Sequence, residues 1–88
     1  MDWEDLLIEA VKSKTRVRIL KYILEVGGAN ISRISRELGI SYTSAERNLE
    51  ALSRAGILEE VRLGRVRVYK IGEGESIIKL IKCLIGRD

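Results

Sequence analysis

At Gly39-Ile40-Ser41 one amphipathic helical pattern stops, and at Tyr42 another begins. Upstream, Ile31, Ile34 and Leu38 recur at spacings of three and four; downstream, Ala45, Leu49 and Leu52 do the same. A break this short gives the chain no length in which to travel, so the two helices must cross beside each other. Glycine at 39 permits the left-handed backbone that a sharp interhelical turn needs. Ser41 is placed to accept from the free N–H groups of the following helix. The pattern predicts a helix over 31–38, capped by Asn30, and a second over about 42–55, ended by Gly56.

On the N-terminal side, Val17, Ile19, Leu20, Ile23, Leu24 and Val26 predict a helix over 15–26, stopped by Gly27-Gly28. Beyond Gly56 the period changes. Ile57, Val61 and Leu63 alternate with charged residues, as do Val66 and Val68, with Gly64-Arg65 between the two runs; this predicts a β-hairpin. Two further amphipathic helices are expected at the ends, over 2–12 and 73–85. The expected fold class is mainly α with a small β-hairpin: helices joined by a tight turn, then a hairpin, which is the winged helix-turn-helix plan. The chain of 88 residues is expected to be one domain, with a core over 13–71 and flanking helices on either side.

Composition removes several functions. With no His, imidazole catalysis and His-ligated metal are excluded, and the single Cys cannot form an internal disulfide or a Cys-rich zinc site. The carboxylates are scattered over helix surfaces and no Gly-rich phosphate loop precedes a helix, so no enzyme is expected. No uninterrupted apolar run exceeds three residues, as in Leu6-Leu7-Ile8 and Cys83-Leu84-Ile85, so no membrane-spanning helix is expected. The start, Met1-Asp2-Trp3-Glu4-Asp5, is acidic where a signal peptide is basic, and a cytoplasmic, nucleoid-associated protein is expected. Few amides among many charges suggest a thermophilic source, although the absence of Pro runs against it.

The stretch from Leu38 to Leu58, which reads Leu-Gly-Ile-Ser, a polar segment, Arg47-Asn48-Leu49, Leu52 and finally Ala55-Gly56-Ile57-Leu58, resembles the ArsR-like winged-helix regulators of archaea and bacteria. Thr15-Arg16-Val17-Arg18-Ile19-Leu20 is similar to the first core helix of that family, and the resemblance spans about 13 to 71. It implies sequence-specific binding of double-stranded DNA by a dimeric transcriptional regulator of archaeal type, with helix 42–55 in the major groove. By that resemblance Tyr42, Thr43, Glu46 and Arg47 read bases. Arg47 suits guanine O6 and N7, or a phosphate; Glu46 suits cytosine N4. Ser32, Ser41 and Ser44 are expected as phosphate donors. The wing, about 62–67, carries Arg62, Arg65 and Arg67 and is expected on the backbone or in the minor groove.

Each of these residues also has a plainer reading. Glu46 and Glu50 are a like-charge pair on a face meant to meet DNA, Glu50–Arg54 is an ordinary surface ion pair, Tyr42 covers the turn, and wing charges protect a sheet edge. Charge favours DNA: residues 31–70 hold eight basic and five acidic residues, whereas the flanks are neutral. Trp3, Leu6, Leu7, Ile77, Ile81 and Leu84 exceed what one small core buries, so the terminal helices are expected to form a homodimer interface. Cys83 is read as a small buried hydrophobe or as an intersubunit disulfide. Metal sensors of the resembling family use Cys, His and carboxylate ligands; without His here, no metal and no cofactor are expected. Two other functions remain open: a winged-helix protein–protein module, and an architectural DNA binder with little sequence preference.

Overall fold

The computed structural model describes residues 14–72. The expected helices over 2–12 and 73–85, the interface residues Trp3, Leu6, Leu7, Ile77, Ile81 and Leu84, and the disulfide at Cys83 lie outside the described residues. The elements are α1 (Lys14–Val26), β1 (Ala29–Asn30), α2 (Ile31–Leu38), α3 (Tyr42–Arg54), β2 (Leu58–Leu63) and β3 (Val66–Ile71).

Each helix forms where its apolar period and its caps agree. The Asn30 side chain accepts from the Arg33 N–H at 2.8 Å and opens α2. Gly39, at φ 66°, ends it in the left-handed region. Ser41 accepts from the Ser44 N–H at 3.0 Å and opens α3. The turn between them is clasped twice: the Ser35 hydroxyl donates to the Ile40 carbonyl at 2.6 Å, and the Ile40 N–H donates to the Ser35 carbonyl at 3.1 Å. From α1, the Arg18 guanidinium donates to the Leu38 carbonyl at 2.8 Å, giving the C-terminal end of α2 a positive partner.

One core unites these pieces. Ile19, Leu20 and Ile23 of α1 meet Ile31 and Ile34 of α2, Ala45, Leu49 and Leu52 of α3, and Ile57, Leu58 and Tyr69 from the sheet side. Ala45 is fully buried; a larger side chain there has no space between the helices.

Among the described residues the sheet has one strand more than the expected hairpin. It has three strands, in the order β1-β3-β2, all antiparallel. The extra strand, β1, pairs Ala29 with Tyr69 and Asn30 with Val68; two residues carry no periodicity that a sequence reading could detect. The apolar alternation read in the sequence does not mark the core face of the hairpin. Leu58 and Tyr69 face the core, while Leu63 and Val66 are exposed and Val61 and Val68 are half-buried. Because successive side chains alternate faces, the core-facing phase of β3 carries Arg67 inward beside Tyr69. Leu63 pairs with Val66 around Gly64-Arg65, and Gly64 at φ 64° supplies the positive φ of a II′-like turn.

Candidate nucleic-acid interface

On α3 the core side chains Ala45, Leu49 and Leu52 leave the opposite face free. Thr43, Arg47 and Arg54 are exposed along that face, at helical spacings of four and seven. Arg47 and Arg54 form no ion pair among the described residues, so their guanidinium groups project into solvent. Arg54 was not among the expected contacts, although the 43–47–54 spacing was readable. The expected Glu50–Arg54 pair is not formed, because Glu50 turns toward the wing: its Oε1 lies 3.8 Å from Arg67 Nη1.

The two flanks of α3 are anchored differently. On one flank, Asn48 Nδ2 donates to the Ser44 carbonyl at 2.8 Å and, less closely, to the Ser44 hydroxyl oxygen at 3.4 Å, while Asn48 Oδ1 accepts from Arg16 Nε at 3.0 Å. Ser44 is therefore half-buried in a brace between α1 and α3. On the other flank, Arg67 Nη2 donates to Glu46 Oε2 at 2.7 Å, a charge-assisted bond between β3 and α3. That bond is the main reason the Arg67 guanidinium is held well above its ordinary range; partial burial opposes it and Tyr42 adds to it.

Sequence reading expected both Glu46 and Arg67 at DNA. The structure brings them to each other. The Arg67 side chain is 24% exposed, whereas that of Arg62 is 72% exposed. Arg62 stands beside Glu60, with Nε at 3.4 Å from Oε1, and Arg65 is exposed at the hairpin tip with no ion pair among the described residues. Beside Arg67 on the same strand face lies Tyr69, fully buried, whose hydroxyl finds no hydrogen-bond partner among the described residues. Burial pushes that hydroxyl's pKa up, with the Glu60 charge adding to the effect.

A cleft of about 170 Å³ opens where the wing meets the starts of α2 and α3. Ser32, Tyr42, Arg65 and Arg67 line it, together with Asn30, Ile31 and Val66, and no carboxylate among the described residues does. Four of the expected contact residues thus surround one basic opening. Ser41 and Thr43 are exposed next to Tyr42. The surface can do three things: present a helix to a groove about 12 Å wide, offer arginines to phosphates on either side, and hold a carboxylate acceptor near the helix start. No group of His, Cys, Asp and Glu among the described residues could hold a metal ion, and no described helix is long and apolar enough to cross a membrane.

Comparison with known proteins agrees with this geometry. A family model described as a helix-turn-helix domain matches residues 12–61. No curated protein matches the sequence. Among solved structures, the chain is similar to a homodimeric winged helix-turn-helix DNA-binding domain from Mycobacterium bovis, described as a possible ArsR-family transcriptional regulator. In the solution structure the identity is 28%, the TM-score 0.84, and the match covers 94% of this chain and 75% of that one. In the crystal structure of the same fragment the values are 29%, 0.83, 94% and 87%. The transcriptional repressor PagR of Bacillus anthracis is similar at 20% identity and TM-score 0.80, covering 93% of this chain and 92% of that one, a likeness of fold.

Proposed function

The chain belongs to the helix-turn-helix domain family, and from that premise we propose that it is a dimeric, ArsR-like transcriptional regulator that reads double-stranded DNA by sequence. The observation that carries this reading is the exposed row Thr43, Arg47 and Arg54 on α3, standing beside a wing whose Arg62 and Arg65 are also exposed. Helix α3 enters the major groove. Tyr42, Thr43 and Arg47 meet base edges, with Arg47 on guanine or on a phosphate. Ser32 and Ser41 bind the backbone, Ser44 joins them from its half-buried position, and Arg54 extends the contact beyond the residues expected from sequence. Arg62 and Arg65 bring the wing to the backbone or the minor groove. It has no catalytic role and uses no metal or cofactor in this reading.

The homodimeric Mycobacterium bovis domain supports pairing as such; the apolar excess of the terminal segments is the reason for assigning the interface to Trp3, Leu6, Leu7, Ile77, Ile81 and Leu84. Two-fold pairing sets two copies of α3 on half-sites about 34 Å apart. Cys83 is then available for an intersubunit disulfide, and the charge-rich, amide-poor composition supports a thermophilic source, while the archaeal assignment rests on the resemblance to ArsR-like regulators alone.

The acidic residues that would suit a protein–protein module lose much of their force, because Glu46 and Glu50 both face Arg67. Selection of bound duplexes from a random pool tests the proposal. Enriched sequences should carry inverted half-sites with centres about 10 bp apart. Salt-sensitive binding without enrichment would identify an architectural binder instead.

A further inference from the structure

We infer that Arg67 is a positioning residue, which holds the Glu46 carboxylate as a reader of cytosine at one base pair and does not itself bind phosphate. The inference rests on the DNA-reading proposal above.

The geometry assigns the two residues different tasks. Arg67 directs its fork at two carboxylates, 2.7 Å from Glu46 and 3.8 Å from Glu50, and it is far less exposed than Arg62. A phosphate would have to displace a charge-assisted bond to reach it, while Arg62 and Arg65 stand nearer solvent. Glu46 presents a complementary picture. A lone carboxylate on a reading helix repels phosphates and swings freely. Here the guanidinium takes one lone pair of Oε2 and offsets the charge, yet 35% of the Glu46 side chain remains exposed. An ionised carboxylate has about four acceptor sites, so acceptor capacity is left over.

Glu46 lies between the core side of α3 and the row Thr43–Arg47, at the edge where a base would meet it. A fixed acceptor there favours the N4 amino group of cytosine and disfavours the acceptors O6 of guanine and O4 of thymine. The wing therefore takes part in base choice through the helix, with no contact of its own to that base.

The test uses the full chain and a duplex recovered by selection from a random pool, together with every single base-pair substitution of that duplex. Wild type, Glu46→Gln, Arg67→Met and the double variant are compared by anisotropy. Wild type should discriminate about tenfold at one C·G pair. Glu46→Gln and Arg67→Met should each relax that same pair to less than about threefold, and the double variant should be no more relaxed than either. Arg67→Lys, which keeps the charge but lacks the planar fork, should relax it too, and keeps the test available should Arg67→Met not fold.

Uniform weakening of all duplexes by Arg67→Met, with full affinity and preference retained by Arg67→Lys, would make Arg67 a phosphate contact and overturn the inference. So would relaxation of different pairs by the Glu46 and Arg67 variants. If wild type binds no duplex in a salt-sensitive way, the DNA-reading proposal itself fails and takes this one with it.

Discussion

Arg47 and Arg67 carry the same guanidinium on the same side of the molecule, but their neighbours separate them. Arg47 is exposed with no ion pair among the described residues; Arg67 is held by Glu46 and Glu50. Replacing Arg47 by Ala should cost about 1–3 kcal/mol of binding to a selected duplex and relax one base position, whereas Arg65→Ala should weaken all sequences alike and lower the salt slope by about one phosphate. Tyr69 yields a prediction free of DNA. Its hydroxyl is buried without a partner among the described residues, and burial raises its folded pKa above the unfolded value near 10.0. A raised acid contributes stability that is fully present below the unfolded pKa and is lost as pH rises through the folded one. Thermal melts should therefore show wild type losing stability above about pH 10 relative to Tyr69→Phe. At neutral pH Tyr69→Phe should be neutral or stabilising by about 1 kcal/mol, since it removes a buried group that makes no bond. A clear destabilisation of Tyr69→Phe at neutral pH would show that the hydroxyl has a partner.

Helices and wing were unequally legible at the level of elements. For α2 and α3, apolar spacing, Asn30, Gly39 and Ser41 all point to the same boundaries, and the helices start and stop within a residue of them. The hairpin was found but its phase was not, because both faces of its strands carry apolar residues: Leu58, Tyr69 and Ile71 on one, Val61, Leu63, Val66 and Val68 on the other. Only packing against the helices decides which face is core. The Glu46–Arg67 bond is legible only once that phase is known, since a hairpin with Val66 and Val68 inward would send Arg67 away from α3. The brace from Arg16 to Asn48 spans 32 residues and has no periodic signal at all. The caps make a direct test of element stability. Ser41→Ala removes the acceptor that opens α3 and should cost about 1 kcal/mol in denaturant unfolding, with little change in the slope of the unfolding curve. Gly39→Ala places a Cβ at φ 66° in the turn and should cost about as much, through backbone strain, since no atom of the described residues beyond its chain neighbours lies within 4 Å of that Cβ.

For the whole molecule, charge and packing are segregated. The core residues draw α1, α2, α3 and the sheet into one unit, so Leu49→Ala, at a fully buried position on the reading helix, should cost about 2–5 kcal/mol and loosen DNA binding only through unfolding. The excess positive charge lies within residues 31–70, the span that also holds α3 and the wing, so electrostatic attraction to a duplex acts on the surface that reads it. Fluorescence anisotropy across a salt series tests this most directly, with wild type and Arg47→Ala titrated against a selected duplex and a scrambled one. Wild type should prefer the selected duplex by roughly 10³-fold or more, with a logarithmic salt slope of about −0.9 per phosphate contact, and Arg47→Ala should lower that preference by about 5- to 150-fold. Equal affinity of wild type for both duplexes, or no binding to either at low salt, would contradict sequence reading by α3.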